Sequence, residues 1–330
     1  MITFKNASNF GGDFAFVKNQ KAVEAVMIAI AGGHNILLAG SPRSEKNEIT
    51  KRIPSILPDL TKEESDEICK IYGRAGINPP TGRPFRTLRS DIGISKLCGE
   101  YDNKKRRFVP REISFAHNGI LCLNNAEEFR TTCLQLLIVP LENKRIRLSH
   151  AENVFEYPAD LQLVLTANPC PCGNYGSGDH ICLCSASTIR SHWKKLSSTL
   201  RDRMDIQVFL DDDNVKPSLS LYSSDIRKII KPAMEMQLRR NNLIDGNHRA
   251  VLNGKLDSVG VRCIFETLSK QEKCFIGEAS NCLTAKKYFS LLKVSRTIAD
   301  IDGSKTIQVK HIEKGLNLVK DSFSIINDII

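Results

Sequence analysis

The sequence has no apolar stretch that could cross a bilayer. Its longest, Ala22 to Ala31, contains Glu24 and falls well short of the roughly 20 residues a spanning helix needs. The opening residues MITFKNASNFGG carry no apolar core of the kind a secretory leader requires. The chain has no even complement of cysteines: eleven cannot all pair within one chain, so a reducing cytoplasm is the expected compartment. It has no repeat of fixed period and no low-complexity tract, and its composition is neither fibrous nor mucin-like. Acids are in deficit, 37 against 47 Lys and Arg, for a net charge of +10. That balance permits a nucleic-acid or acidic partner, and it is equally the charge of an ordinary basic globular protein. What is present is 41% hydrophobic residues over 330 positions, too apolar for a disordered chain and too long for one typical core, so two folded units are expected.

The first third alternates helix and strand. Ala22–Ala31 reads as an amphipathic helix closed by Gly32 and Gly33, and Asn35–Ala39 as a short strand buried on both faces, which implies a parallel sheet. A helix starts near Glu45 and stops near Pro54 and Pro58, and Thr61-x-x-Glu64 is a capping box for another. Gly119–Leu123 and Leu161–Thr166 are further core strands. Residues 73–110, rich in Gly, Pro and basic side chains including Lys104-Lys105-Arg106-Arg107, read as a long insertion or loop, with a solvated surface or phosphate contact as the alternatives for the basic run. Residues 143–158 read as a hairpin with a basic outward face on one arm and a turn at Ser149–Glu152. Asp211-Asp212-Asp213-Asn214 and the Ser-rich stretch after Pro217 mark a boundary, dividing the chain into 1–213 and 214–330. Beyond it, Ile226, Ile229, Ile230 and Ala233 share one helical face and Tyr288, Leu291, Leu292, Ser295 and Ile298 another, so the C-terminal third is expected to be a helical bundle.

Gly40-Ser41-Pro42-Arg43-Ser44-Glu45-Lys46-Asn47 lies between a buried strand and a helix start, where a phosphate-binding loop belongs. It matches G-x-x-x-x-G-K-[ST] only at Gly40 and Lys46. The pattern requires glycine where Glu45 stands and a magnesium-binding hydroxyl where Asn47 stands. Left-handed backbone at a non-glycine residue costs about 1–2 kcal/mol, and a carboxylate there repels a triphosphate, so binding should weaken. A second cluster, Cys170-Pro171-Cys172 and Cys182-Leu183-Cys184, places four thiols on two short arms joined by a Gly-containing link. It suits tetrahedral zinc, with unligated thiols as the alternative. The remaining seven cysteines read as buried, inert thiols.

The run Ala31-Gly32-Gly33-His34-Asn35-Ile36-Leu37-Leu38-Ala39-Gly40-Ser41-Pro42 resembles the AAA+ ATPases of the magnesium-chelatase I-subunit/ComM group. So do Asp13–Gln20, Ile53–Pro58, Arg83-Pro84-Phe85-Arg86 and Leu291–Gly303, in the same order and across nearly the whole chain. The resemblance implies an α/β fold, an AAA+ P-loop parallel sheet flanked by helices, with a C-terminal all-α lid domain. It also implies ATP with magnesium and assembly into a ring. In that family the strand reads AHNGVLFLDE, whereas here Ala116–Asn125 ends in Asn124 and Asn125, so both acids of the Walker B pair are amides. An amide neither holds the magnesium shell by charge nor accepts a proton from water, and losing a general base costs roughly 10²–10⁴ in rate. The plain structural alternative is that the two asparagines cap a buried strand.

By the same resemblance Asn168 stands at sensor 1, and Arg203, within Ser198–Asp205, at the arginine finger, with a salt bridge to Asp202 or Asp205 as its alternative role. Lys286 stands at sensor 2 without the bidentate fork of arginine. Ile138-Val139 replaces the Arg-Gln that usually precedes Pro140-Leu141-Glu142. The ComM-like branch carries a quartet similar to Cys170, Cys172, Cys182 and Cys184, which favours a structural zinc. The departures gather at the chemistry and leave the scaffold, the pattern of a pseudoenzyme: a ring subunit or regulatory module with weak or absent ATP binding, in a homo- or hetero-oligomer, for which magnesium binding is left open. One alternative is an active motor acting on DNA, in branch migration and transformation, or in metal chelation, with Glu127 or Glu128 replacing the lost acids. Another is a nucleotide-independent nucleic-acid-binding protein using Lys104–Arg107 and the 143–158 hairpin. ComM-like proteins carry a further N-terminal domain resembling the Lon protease fold. This chain begins close to its phosphate loop and is expected to lack that domain and to work beside a full-length relative in a mixed ring.

Overall fold

The computed structural model describes residues 2–3, 13–104, 106–150, 153–178, 180–210, 221–242, 251–281 and 283–320. Nine strands are found among them: β1 (Ile36–Gly40), β2 (Phe85–Leu88), β3 (Gly99–Asp102), β4 (Arg107–Pro110), β5 (Ile120–Leu123), β6 (Arg145–His150), β7 (Asn153–Pro158), β8 (Gln162–Ala167) and β9 (Ile206–Leu210). Five form one sheet in the order β2-β5-β8-β1-β9, all parallel, with β3–β4 and β6–β7 as separate antiparallel hairpins. Parallel neighbours need crossover connections, and these put helices over both faces of the sheet.

The alternation of side chains along each strand divides the core. Ile36 and Leu38 of β1, Val164 of β8 and Ile206 and Val208 of β9 face one layer, together with α1 (Gln20–Gly32) and the C-terminal helices Ser223–Asn241 and Ala285–Ile301. Leu37 and Ala39, Leu163 and Leu165, and Phe209 face the other, which also holds Phe129, Tyr157 and Trp193. The C-terminal region is helical, and Ile226, Ile230, Leu291 and Ile298 are buried as their periodicity implies. The proposed boundary at 211–214 falls outside the described residues.

Two expectations change. The stretch 73–110 is not a loop: Phe85–Leu88 is the edge strand of the main sheet, paired to β5, and Gly99–Pro110 forms a hairpin around Lys104 and Arg106. An edge strand is covered on one side only, and its polar Arg86 and Thr87 hid it. Nor is α1 amphipathic. Every residue from Ala25 to Gly32 is buried, because the C-terminal helices pack on the side a surface helix would show to water. The capping box at Thr61 is present, with both reciprocal hydrogen bonds, and starts α3 (Lys62–Ala75). No described helix is long and apolar enough to cross a membrane.

The hairpin over 143–158 is present as β6–β7, although Ala151 and Glu152 of its turn lie outside the described residues. Arg145 and Arg147 point out of one arm as expected, but both reach Glu156 on the other, which offsets part of the positive face. Of the other cysteines, Cys98, Cys122 and Cys133 are buried as expected. Cys69 and Cys274 are exposed and Cys263 half-buried, because they lie on outer turns of surface helices. Cys282 lies outside the described residues.

Candidate functional site

The loop after β1 leaves the C-terminal edge of the sheet between β8 and β9 and runs into α2 (Lys46–Arg52). Three donors converge on the Ser41 carbonyl: the Ser44 N–H at 3.1 Å, the Ser44 hydroxyl at 2.8 Å and the Lys46 Nζ at 2.7 Å. Lys46 is 2% exposed, a burial that an ammonium tolerates only with such acceptors. Gly40 is required by contact, since a Cβ there would lie 2.6 Å from Ser44 Oγ and 2.7 Å from the Leu210 carbonyl. Glu45 takes the left-handed backbone that the motif reserves for glycine, with φ 59° and ψ 8°, so the loop keeps its shape at the expense of strain. Its carboxylate accepts the Lys18 N–H at 2.8 Å, which ties the loop to the segment leading into α1.

Asn124, in place of the first acid, and Asn47, in place of the motif's hydroxyl, each accept from a hydroxyl. Asn124 Oδ1 accepts from Thr50 Oγ1 at 3.2 Å, and Asn47 Oδ1 accepts from Thr166 Oγ1 at 3.0 Å. The same Thr166 hydroxyl takes the Asn125 N–H at 2.9 Å, and Asn125 Nδ2 donates to Glu128 at 3.1 Å. The ends of β5 and β8 and the start of α2 are thus joined by an amide and hydroxyl network. Glu127, named as a possible substitute acid, is 3% exposed. Its Oε1 accepts the Asn168 N–H at 3.0 Å, its Oε2 has no hydrogen-bond partner among the described residues, and burial raises its pKa. Glu127 therefore braces the turn after β8 instead of meeting solvent, and Glu128 is held by Asn125.

Asn168 stands at the end of β8, with its backbone carbonyl accepting from His192 Nε2 at 2.9 Å. Arg203 pairs with neither Asp202 nor Asp205 through its guanidinium. It meets Glu142, and Lys286 Nζ reaches the same Glu142 oxygen at 3.1 Å. These two cations hold the Glu142 carboxyl below its usual range, Lys286 contributing most. Asp205 instead accepts from Ser290 at 2.6 Å and lies 3.7 Å from the His34 ring. Burial alone would raise its pKa, but His34 and Lys293 lower it well below the ordinary value. In the sequence Glu142 and Thr166 stand out only as members of the runs Pro140–Glu142 and Leu161–Thr166. The one signal that could have singled out Glu142 is its acidity in a segment that otherwise offers Ile138 and Val139.

The four cysteines come together. Their Sγ atoms all lie within 4.8 Å of one another, with Cys170 to Cys172 at 3.3 Å and Cys182 at 3.6 Å from each of them. Four thiolates about 2.3 Å from a tetrahedral zinc stand roughly 3.8 Å apart, so the donor set and its spacing fit that ion.

A parallel sheet of this strand order, with a buried lysine closing the loop after β1 and a helical C-terminal region packed on one face, has the AAA+ P-loop architecture. Comparison with known proteins gives the family. The model described as magnesium chelatase, subunit ChlI, matches residues 13–217, and that of the ChlI C-terminal region matches residues 220–318. The chain belongs to this magnesium-chelatase family. It is 31% identical to the uncharacterized protein YifB of Escherichia coli over 313 residues, 91% of this chain and 59% of that protein. It is 30% identical to the competence protein ComM of Haemophilus influenzae over 334 residues, 96% of this chain and 62% of ComM. An uncharacterized protein of Mycobacterium bovis is 38% identical over 202 residues, 59% of this chain and 39% of its own length. The chain thus spans about three fifths or less of these relatives.

Proposed function

We propose that this chain is a ring subunit whose own nucleotide site does not hydrolyse ATP, and whose basic pair Arg203 and Lys286 serves the nucleotide of a neighbouring, competent subunit. The observation that carries the reading is the state of Asn124 and Asn125. The Asn124 side chain accepts from Thr50 and the Asn125 side chain donates to Glu128, and neither amide supplies the negative charge or the base that hydrolysis needs. Lys46 remains as the phosphate-facing cation of the loop, so any nucleotide is bound weakly, without the hydroxyl that would hold magnesium. Asn168 takes the sensor 1 position, and the helical part after about residue 213 acts as the lid. The Cys170, Cys172, Cys182 and Cys184 quartet holds a structural zinc, which has no coordination position open for chemistry.

Arg203 suits the second half of the proposal because Glu142 is an exchangeable partner. Arg203 meets Glu142 through one guanidinium nitrogen only, and a phosphate from another subunit would offer the same cation an acceptor of greater charge. Calorimetry with ATP and magnesium tests the first half. The unmodified chain should show weak binding or none, and Glu45→Gly/Asn47→Thr should bind measurably. Micromolar binding by the unmodified chain would contradict the reading.

A second reading, contact with nucleic acid, is favoured by one feature. The two hairpins form a single unit in which Tyr101 stacks on His150 at 3.9 Å and Phe108 meets Phe155 at 5.4 Å, with Lys104, Arg106 and Arg107 carried on β3–β4. A steep salt dependence of DNA affinity, indifferent to ATP, is its signature.

A further inference from the structure

The four-cysteine loop rests on the phosphate loop. Gly173, at φ 79°, turns the chain after Cys172 with its N–H on the Cys170 carbonyl at 3.0 Å. A Cβ at Gly173 would stand 2.7 Å from Pro42 Cδ and 2.9 Å from its Cγ, so backbone lies directly against the ring of the third phosphate-loop residue. Gly176, at φ 78°, approaches the Phe209 ring of β9 in the same way, at 3.1 Å. Both approaches are open only to glycine.

The two arms of the loop are anchored very differently. The arm bearing Cys170 continues a braced turn: Asn168 N–H donates to Glu127, the Asn168 carbonyl accepts from His192, and the Pro169 carbonyl accepts from Trp193 Nε1 at 2.9 Å. The arm bearing Cys182 and Cys184 has no such support from its apolar side chains, because Ile181 is 83% and Leu183 91% exposed. Burial of those residues supplies almost nothing to hold this arm against the protein. Its thiols nevertheless stand within 4.8 Å of those on the braced arm. A metal ion bridging the four sulfurs is the interaction that would close the loop, and closing it presses Gly173 onto Pro42.

We infer that the metal bound by the quartet is a positioning element for the phosphate loop: with the ion in place, residues 40–47 are held by the Gly173–Pro42 contact, and without it they are released. This rests on the zinc reading of the quartet and is independent of whether ATP is hydrolysed. The test compares the zinc-loaded chain with the same chain stripped by a chelator under reducing conditions, measuring zinc content and amide hydrogen exchange by mass spectrometry. One zinc per chain is expected, and stripping should speed exchange across residues 40–47 by about tenfold or more while β8 amides at 162–167 keep their protection. Pro42→Ala should retain one zinc and lose most of that difference. If zinc binds and exchange at 40–47 is unchanged by stripping, the coupling is wrong and the metal reading stands. Loss of protection equally at 40–47 and 162–167 also overturns the coupling, since the ion would then support the whole fold. Failure to bind zinc removes the quartet reading and this inference together, and leaves the reading of Asn124 and Asn125 untouched.

Discussion

Replacing Glu45 by glycine separates the two costs that this side chain imposes on the phosphate loop. The first is conformational. At φ 59° and ψ 8°, a residue with a Cβ pays about 1–2 kcal/mol that glycine does not. Against that relief stands the hydrogen bond from the Lys18 N–H to the Glu45 carboxylate at 2.8 Å, worth about 1 kcal/mol. The two nearly cancel, so Glu45→Gly should change the unfolding free energy by no more than about 1 kcal/mol in either direction. The second cost falls on the ligand. Like charges about 4 Å apart repel by about 1 kcal/mol even in bulk water, so removing the carboxylate should tighten phosphate or nucleotide binding by roughly fivefold or more. Urea denaturation measures the first quantity and calorimetric titration with ATP the second. A loss of more than about 2 kcal/mol would refute the strain argument, because it would mean that the carboxylate holds the loop more strongly than the left-handed backbone opposes it. Unchanged ATP affinity would refute the electrostatic one.

Arg203→Ala, mixed with an ATP-hydrolysing relative, should lower that partner's turnover while leaving the variant's own fold intact by circular dichroism. Turnover that does not change on mixing with either form removes the role in trans. Asp300 is 2% exposed and accepts from both Arg240 and Arg296, so Asp300→Asn leaves two guanidinium groups short of charge and should cost about 3–5 kcal/mol in urea unfolding. A loss below about 1 kcal/mol would show that solvent reaches the pair. Burial would raise the Asp160 carboxyl, but Lys255 at 2.5 Å and Lys144 at 3.8 Å outweigh it and hold the pKa at about 2. Its folded pKa is below the unfolded value, so its stabilisation is present above about pH 4 and is lost as pH falls toward 2. The stability gap between the chain and Asp160→Asn should therefore be constant from pH 7 to 5 and narrow below 4. A gap that stays constant to pH 3 would contradict the assignment.

Adjacent residues were enough to reveal the scaffold and the amides that stand where the family carries two acids. The apolar runs that became β1, β5 and β8 announced themselves because strands buried on both faces are apolar at most positions, Gln162 and Thr166 of β8 being the polar ones. The replacement of two acids by Asn124 and Asn125 needs no coordinates, since an amide is not a base in any fold. Thr61 and Glu64 specified a helix start through hydrogen bonds that span three residues. The pairing of the cysteine arms was likewise readable from their spacing.

Other features depend on contacts between distant parts of the chain. Glu142 joins Arg203 across 61 residues and Lys286 across 144, and nothing in either local stretch names the partner. Glu127 stands beside Glu128 as a candidate substitute acid, yet the turn at Asn125 rotates it inward beneath Asn168. Phe85–Leu88 looked like loop because an edge strand needs only one covered face, and α1 looked amphipathic because the helices that bury its other side lie two hundred residues away. The seat of Gly173 on Pro42 belongs to the same group. Hydrophobic period, capping and residue chemistry act over a few bonds and are written in the order of residues. Charge pairing, burial of a single carboxylate and close backbone approach are set by which surfaces meet, and only the folded chain decides that.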